Sequence, residues 1–239
     1  CDWSSDVCSS DLYNCTMKKI INILVLMIPL LLAGCDRSPE RLQLEAATVL
    51  PQAKELPPFN LKHFELQSSE LNDFSVADLK GKWSLFFFGY THCPDVCPTE
   101  LFMLSEMMRS LEQDSALKID KPQVVFVSVD PQRDTPKSLQ EYTGYYHPSF
   151  LGVTGEQNVV DSLSHSMGAM YERVYYLNGR ELVVDEDEDI PEGLENSYLI
   201  NHSAAIFLTN PDGDLHAILT TPHNPDVMIR DLLSIQNAW

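Results

Sequence analysis

The sequence predicts an α/β protein whose mixed central sheet is flanked by helices, and three observations carry that expectation. Trp83–Tyr90 (WSLFFFGY) and Gln123–Val129 (QVVFVSV) are continuous apolar runs, the pattern of strands covered on both faces. Each is followed by a segment that reads as a helix. The chain then closes with an apolar strand, an Asn-Pro-Asp-Gly turn, a second apolar strand and a last helix, so an antiparallel hairpin joins a βαβ order.

Taken in order, Phe59–Leu66 and Phe74–Leu79 read as short strand and turn elements before Gly81-Lys82. Trp83–Tyr90 is the expected central strand. Between Pro98 and Leu111 the apolar residues Leu101, Leu104, Met107, Met108 and Leu111 recur at helical spacing, with Pro98 near a first helical position, where its missing N–H costs nothing. Gln123–Val129 is the second buried strand and ends at Asp130-Pro131. Thr135 is the candidate N-cap of a helix reaching Tyr146, with Pro136 at its first position. Gln157–Met167 predicts another helix and Tyr171–Leu177 a strand. Ser203–Thr209 and Leu215–Leu219 flank the turn at 210–213 as a hairpin, and Asp226–Ile235 is the closing helix. This order is that of the thioredoxin-like fold, here with an extra acidic loop insertion between Asn178 and Asn196. Within it, Asp185-Glu-Asp-Glu-Asp189 repel one another and belong in solvent.

Composition divides the N-terminal part. Residues 1–16 are polar, precede Met17 and contain the near-repeat Ser4-Ser5-Asp6-Val7-Cys8 and Ser9-Ser10-Asp11-Leu12, so they read as a non-native extension. Residues 17–34 read as an export signal: Lys18 and Lys19, then an apolar stretch from Ile20 to Leu32. That stretch is interrupted by Asn22 and Pro29 and is shorter than the about 20 residues needed to cross about 30 Å of hydrocarbon, so it fits a signal rather than a membrane span. Leu32-Ala33-Gly34-Cys35 resembles the lipobox of bacterial lipoproteins, which implies that Cys35 is lipidated and becomes the first mature residue. Asp36 behind it resembles an inner-membrane retention signal. The expected location is the extracytoplasmic face of a bacterial cell envelope, lipid-anchored to the inner membrane. Residues 35–58, polar and punctuated by Pro39, Pro51, Pro57 and Pro58, read as a tether, and 59–239 as one folded domain.

A net charge of −19 argues against nucleic acid, which requires a basic footprint, and suits solubility or docking on a basic partner. Of six cysteines, Cys1, Cys8 and Cys15 precede the signal and Cys35 is assigned to the lipid, so Cys93 and Cys97 remain for the domain. In an oxidising compartment such a pair forms a bridge or serves redox or metal chemistry. Cys93 follows a buried strand and Cys97 opens a helix, where unpaired N–H groups and the positive dipole end favour thiolate. Their i, i+4 spacing places both sulfurs on one face, near enough to chelate one ion or close a disulfide. Among His63, His92, His147, His165, His202, His216 and His223, the best-placed third ligand is His202. It directly precedes the Ser203–Thr209 strand, in a loop that packs against the cysteine turn in a thioredoxin-like sheet. Oxidoreductases of that fold carry a cis-proline there, and Asn201-His202-Ser203 has none. Two thiolates and one imidazole suit Cu(I) and can hold Cu(II), whereas zinc usually takes a fourth ligand.

Three motifs together resemble the Sco/SenC family from about Phe59 to the C-terminus: Gly89-Tyr-Thr-His-Cys93-Pro-Asp-Val-Cys97-Pro98, Val127-Ser-Val-Asp130-Pro131 with Arg133-Asp134-Thr135-Pro136, and His202-Ser203 before an apolar strand and Pro-Asp-Gly. The resemblance implies a membrane-tethered copper chaperone for the CuA centre of cytochrome c oxidase, with Cys93, Cys97 and His202 as the ligands of one copper ion. It also implies that Asp130 is the family aspartate at the strand end near the site, with capping of the Pro131 turn as its plainer role, and that the partners are a copper-accepting oxidase subunit, other copper chaperones and thiol reductants. Asn201 departs from the family pattern, in which aspartate often precedes the histidine. The same residues support a thiol–disulfide oxidoreductase that reduces the cysteines of the acceptor site, with Cys93 attacking and Cys97 resolving. A peroxidase or redox sensor ranks last, because two exposed thiols do not by themselves make a peroxide pocket.

Overall fold

A computed structural model describes residues 52–239 except 62, 69–71, 178, 183–192, 195 and 196. The expected extension, export signal, lipid-modified Cys35 and first part of the tether lie outside the described residues, as does the acidic run 185–189. At the centre of the sheet β4 (Ser84–Gly89), β5 (Gln123–Ser128) and β6 (Leu151–Thr154) run parallel. β4 is buried at every position and β5 at all but its first, as their continuous apolar sequences require.

On one side of this core, β10 (Ile206–Thr209) pairs antiparallel with β4, β11 (Asp214–Leu219) with β10, and β1 (Ala53–Asn60) with β11. On the other, β2 (Glu65–Ser68) pairs antiparallel with β6, and β3 (Asn72–Ser75) with β2. The result is a mixed eight-stranded sheet in the order β1-β11-β10-β4-β5-β6-β2-β3. The β10–β11 turn is built by Asn210, whose side-chain oxygen accepts the N–H groups of Asp212 and Asp214 at 3.0 Å each, while Gly213 takes φ +76°.

β1 begins inside the stretch expected to be tether. Ala53, Lys54 and Glu55 pair with Leu219, Ile218 and Ala217, and the register then shifts before Phe59, so Pro57 and Pro58 fall in the irregular part of an edge strand, where a missing donor is tolerated. The start of the strand is held by Asp231, which accepts the N–H groups of Gln52 and Ala53 at 2.7 and 2.9 Å.

Among the described residues four α-helices flank the sheet: α1 (Val96–Gln113), α2 (Pro136–Tyr146), α3 (Gln157–Met167) and α4 (Pro225–Ala238). Leu101, Leu104, Met107, Met108 and Leu111 form the buried stripe of α1, as their spacing predicts. Thr135 caps α2 by accepting the Ser138 N–H at 3.2 Å, with Pro136 first in the helix. A second, three-stranded antiparallel sheet, β8-β7-β9, consists of β7 (Tyr171–Leu177), β8 (Arg180–Leu182) and β9 (Tyr198–His202). His202, expected in a loop, therefore ends a strand. Among the described residues, no helix is long and apolar enough to cross a membrane.

Candidate metal centre

The cysteine turn leaves β4 at Gly89, and the Cys93 N–H donates to the Tyr90 carbonyl at 3.2 Å. Cys97 is the second residue of α1. The N-cap of that helix, Asp95, makes no side-chain cap bond; instead the Cys97 N–H donates to Cys93 Sγ at 3.5 Å. A sulfur thus stands where a capping oxygen usually does. His202 arrives from β9 with Nε2 at 3.2 Å from Cys97 Sγ and 3.7 Å from Cys93 Sγ. The three donor atoms lie within 4.8 Å of one another, the one such cluster among the described residues, and both cysteines are free thiols.

His202 Nδ1 lies 3.1 Å from the Ser203 carbonyl oxygen. A carbonyl only accepts, so Nδ1 carries the ring proton and Nε2 offers its lone pair to the sulfurs. The rings of Phe87 and Tyr90 meet the imidazole edge-on at 6.0 Å each and wall the site with apolar surface. Cys93 is lowered to about 3, first by the hydrogen bond from the Cys97 side chain and further by the backbone N–H groups of Cys97 and Asp95, against the cost of burial. Cys97 is pushed up by its burial and by the neighbouring Cys93 sulfur. The pair thus shares a single negative charge, centred on Cys93, and holds one proton on Cys97. A soft cation between the sulfurs would take the place of that proton, and this donor set, with two sulfurs, one imidazole and no carboxylate, fits a thiophilic metal.

The surroundings fix these positions. Gly89 is glycine because a Cβ there would lie 2.4 Å from Cys97 Sγ. Asp134, 1% exposed, accepts the Thr91 N–H at 3.0 Å, the Thr91 hydroxyl at 2.5 Å and the Ser128 hydroxyl at 2.6 Å, tying the cysteine turn to the end of β5. Sequence reasoning gave Asp134 no role. The available signal was an acidic residue directly before the cap Thr135, in a segment that follows a buried strand.

Asp130, expected at the strand end near the site, turns its buried carboxylate to β9. It accepts hydrogen bonds from Arg133 Nε and from the Tyr198 hydroxyl, the latter at 2.6 Å. Arg133 also stacks 3.7 Å over the Tyr198 ring and donates to the Tyr198 carbonyl at 3.1 Å. Burial and Asp130 push the Tyr198 phenol up to about 12, so it remains a donor at neutral pH. Tyr90 adds a further tie, its hydroxyl accepting the Ile200 N–H at 3.1 Å. Asp130 thus acts at a distance, by holding the strand that ends in His202. Asn201 donates to Glu172 at 3.4 Å on the exposed side of the β7–β9 pair, so the imidazole is oriented by the Ser203 carbonyl and not by the residue before it.

The SCO1/SenC family model matches residues 53–237, from the first residue of β1 into α4. The chain belongs to the SCO1/SenC family. Among relatives in that family, the human mitochondrial SCO2 homolog is 43% identical over 137 residues, which is 57% of this chain and 45% of that protein. The chain spans about half the length of the mitochondrial SCO2 relatives it matches first. A Stutzerimonas stutzeri protein named for copper binding is 33% identical over 222 residues, covering 92% of this chain and 95% of that one. The crystal structure of Arabidopsis thaliana ScoI with copper bound superposes with a TM-score of 0.62 at 26% identity, covering 74% of this chain and 98% of that one. The α/β, thioredoxin-like expectation holds.

Proposed function

We propose that this SCO1/SenC protein is a copper metallochaperone, carrying one copper ion on Cys93, Cys97 and His202 and supporting assembly of the CuA centre of cytochrome c oxidase. The observation that carries the reading is the convergence of two thiol sulfurs and an imidazole Nε2 from two separate segments within 4.8 Å. Cys93, at 9% exposure, meets an incoming ion before the fully buried Cys97 does. Capture then releases the Cys97 proton, and delivery reverses the order as thiolates of the acceptor replace the donors one at a time. The copper bound in the Arabidopsis structure and the name of the Stutzerimonas relative support the choice of metal, in either Cu(I) or Cu(II) form. Family membership supports the oxidase subunit as acceptor. The run Leu32-Ala33-Gly34-Cys35 supports export and a lipid anchor that holds the chain at the outer face of a bacterial inner membrane.

Copper titration of the reduced protein, with the disulfide form as control, tests this directly. One equivalent bound only when reduced is expected; no uptake, or uptake indifferent to oxidation, refutes it. His202→Ala should weaken binding beyond the ~10–100-fold typical of an outer contact, with the circular dichroism unchanged, and unaltered affinity would sink the ligand assignment.

A second reading is favoured by the asymmetry of the pair. An ionised Cys93 near the surface and a protonated Cys97 behind it are the attacking and resolving thiols of a thiol–disulfide oxidoreductase. Exchange with an oxidised acceptor-site peptide, undiminished in His202→Ala, supports that activity, and no exchange by the wild type refutes it.

A further inference from the structure

Glu100 and His223 form a buried polar pair beside the helix turn that carries Cys97. Glu100 stands at i+3 from Cys97, a neighbouring position on the helix surface, and is 7% exposed. His223 immediately precedes Asn224, the N-cap of α4, and its side chain is fully buried. Its Nε2 lies 3.2 Å from the Leu219 carbonyl at the end of β11, and its Nδ1 lies 2.6 Å from Glu100 Oε2. Because the carbonyl only accepts, Nε2 carries a proton. The short contact on the other side then needs a second proton, on Nδ1 or on the carboxyl group. Such a bond out of water is strong, and deleting one partner leaves the other buried and unmatched.

The first turn of α1 needs such an anchor. Asp95 does not cap it, and the Cys97 N–H is received by the sulfur of Cys93. That sulfur is also the one an incoming ion meets first, and a sulfur that donates to a metal has less to offer the N–H. The bond from Glu100 to His223 stays in place throughout, since neither residue is a ligand, and it joins the turn to the end of β11 and the start of α4.

We propose that Glu100 and His223 are a positioning pair that fixes the first turn of α1, and with it the Cys97 sulfur, for metal capture. The proposal rests on the copper reading above.

The test is a double-mutant cycle in the full chain: Glu100→Ala, His223→Ala, the two together, and Glu100→Gln as the conservative rescue. Three quantities are read: the rate at which Cu(I) passes from the reduced protein to a chelator, the dithiol–disulfide equilibrium of Cys93 and Cys97 in glutathione buffer, and the thermal midpoint of the copper-free protein. Each alanine variant should lose copper about tenfold faster or more, and the double variant little faster than either, because the pair acts as a unit. Glu100→Gln, whose side-chain amide can still hydrogen-bond Nδ1, should restore most of the wild-type rate. The disulfide equilibrium should move in the same variants. Alanine variants that melt lower but release copper and equilibrate their thiols as the wild type does would overturn the proposal, as would simple additivity. Where the alanine variants do not fold, His223→Asn decides: its shorter amide cannot serve both Glu100 and Leu219, so copper loss several-fold faster supports the pair and a wild-type rate overturns it. A wild-type chain that takes up no copper would sink the copper reading alone, and the thiol equilibrium would then decide the pair.

Discussion

Gly89→Ala tests how tightly the backbone holds the sulfur pair. Gly89 ends a strand and lies outside the left-handed region that favours glycine, so alanine is costly only for want of space. Its Cβ would sit 2.4 Å from Cys97 Sγ and 2.8 Å from Phe126 Cε2, where such contacts settle at roughly 3.5–4.0 Å. Relief requires a movement on the order of 1 Å. The Phe126 ring cannot yield, being fully buried between Phe87 and Tyr142 at centroid distances of 6.0 and 5.7 Å, so the displacement falls on Cys97. Metal–ligand distances tolerate about 0.2 Å, so a shift that large takes the sulfur out of bonding range. Copper affinity should fall about 100-fold, or about 2.8 kcal/mol, while overpacking lowers the stability of the copper-free protein by about 1–3 kcal/mol. Competition with a Cu(I) chelator measures the first and urea unfolding the second. A variant that binds copper as the wild type does, whatever its stability, would show that Gly89 is not there to admit the sulfur.

The remaining predictions concern the charge on the pair and its supports. In the reduced, copper-free protein Cys93, lowered to about 3, is thiolate across the neutral range and becomes protonated only as the pH falls through its own low value. Iodoacetamide should therefore label Cys93 at a nearly constant rate from about pH 5 to 8 and spare Cys97; a steep rise near about pH 8.5, as for an ordinary thiol, would contradict the assigned charge. Asp134→Asn turns an amide nitrogen toward a carboxylate position surrounded by donors, and urea unfolding should show a loss of about 2–3 kcal/mol, with a change under about 0.5 kcal/mol counting against the network. Tyr198→Phe removes the 2.6 Å bond to Asp130 but keeps the ring under Arg133, and should cost about 1–2 kcal/mol and about tenfold in copper affinity. If neither moves, Asp130 does not hold the histidine strand.

What the sequence reveals here follows from which signals are local. The buried strands β4 and β5 are legible because both faces are covered and the apolar run is unbroken. The helix α2 is legible because Thr135 and Pro136 mark its first turn. Four strands escaped: β8, because its three residues fall in the stretch read as an acidic loop, and three others for equally local reasons. β6 has only four residues; β1 carries two prolines, which a surface edge tolerates and composition reads as linker; and β9 ends in Asn201 and His202 beside an acidic segment, so its alternation is hidden. The two sulfurs could be assigned from their spacing, whereas His202 meets Cys97 across 105 positions of chain, a contact that only tertiary pairing creates. The roles of Asp130 and Asp134 were not separable. Both are buried carboxylates at the end of β5, and nothing local says that one will reach the cysteine turn and the other the histidine strand.

The three donor atoms are divided between two sheets: the sulfurs sit where β4 of the large sheet passes into α1, and the imidazole is carried at the end of β9 in the small one. How near the imidazole comes to the sulfurs is therefore a matter of how the two sheets sit against each other. The seam between the sheets, held by Arg133, Tyr198, Asp130 and Tyr90, thus sets the reach of the imidazole to the sulfurs through side chains that are not themselves among the three donors.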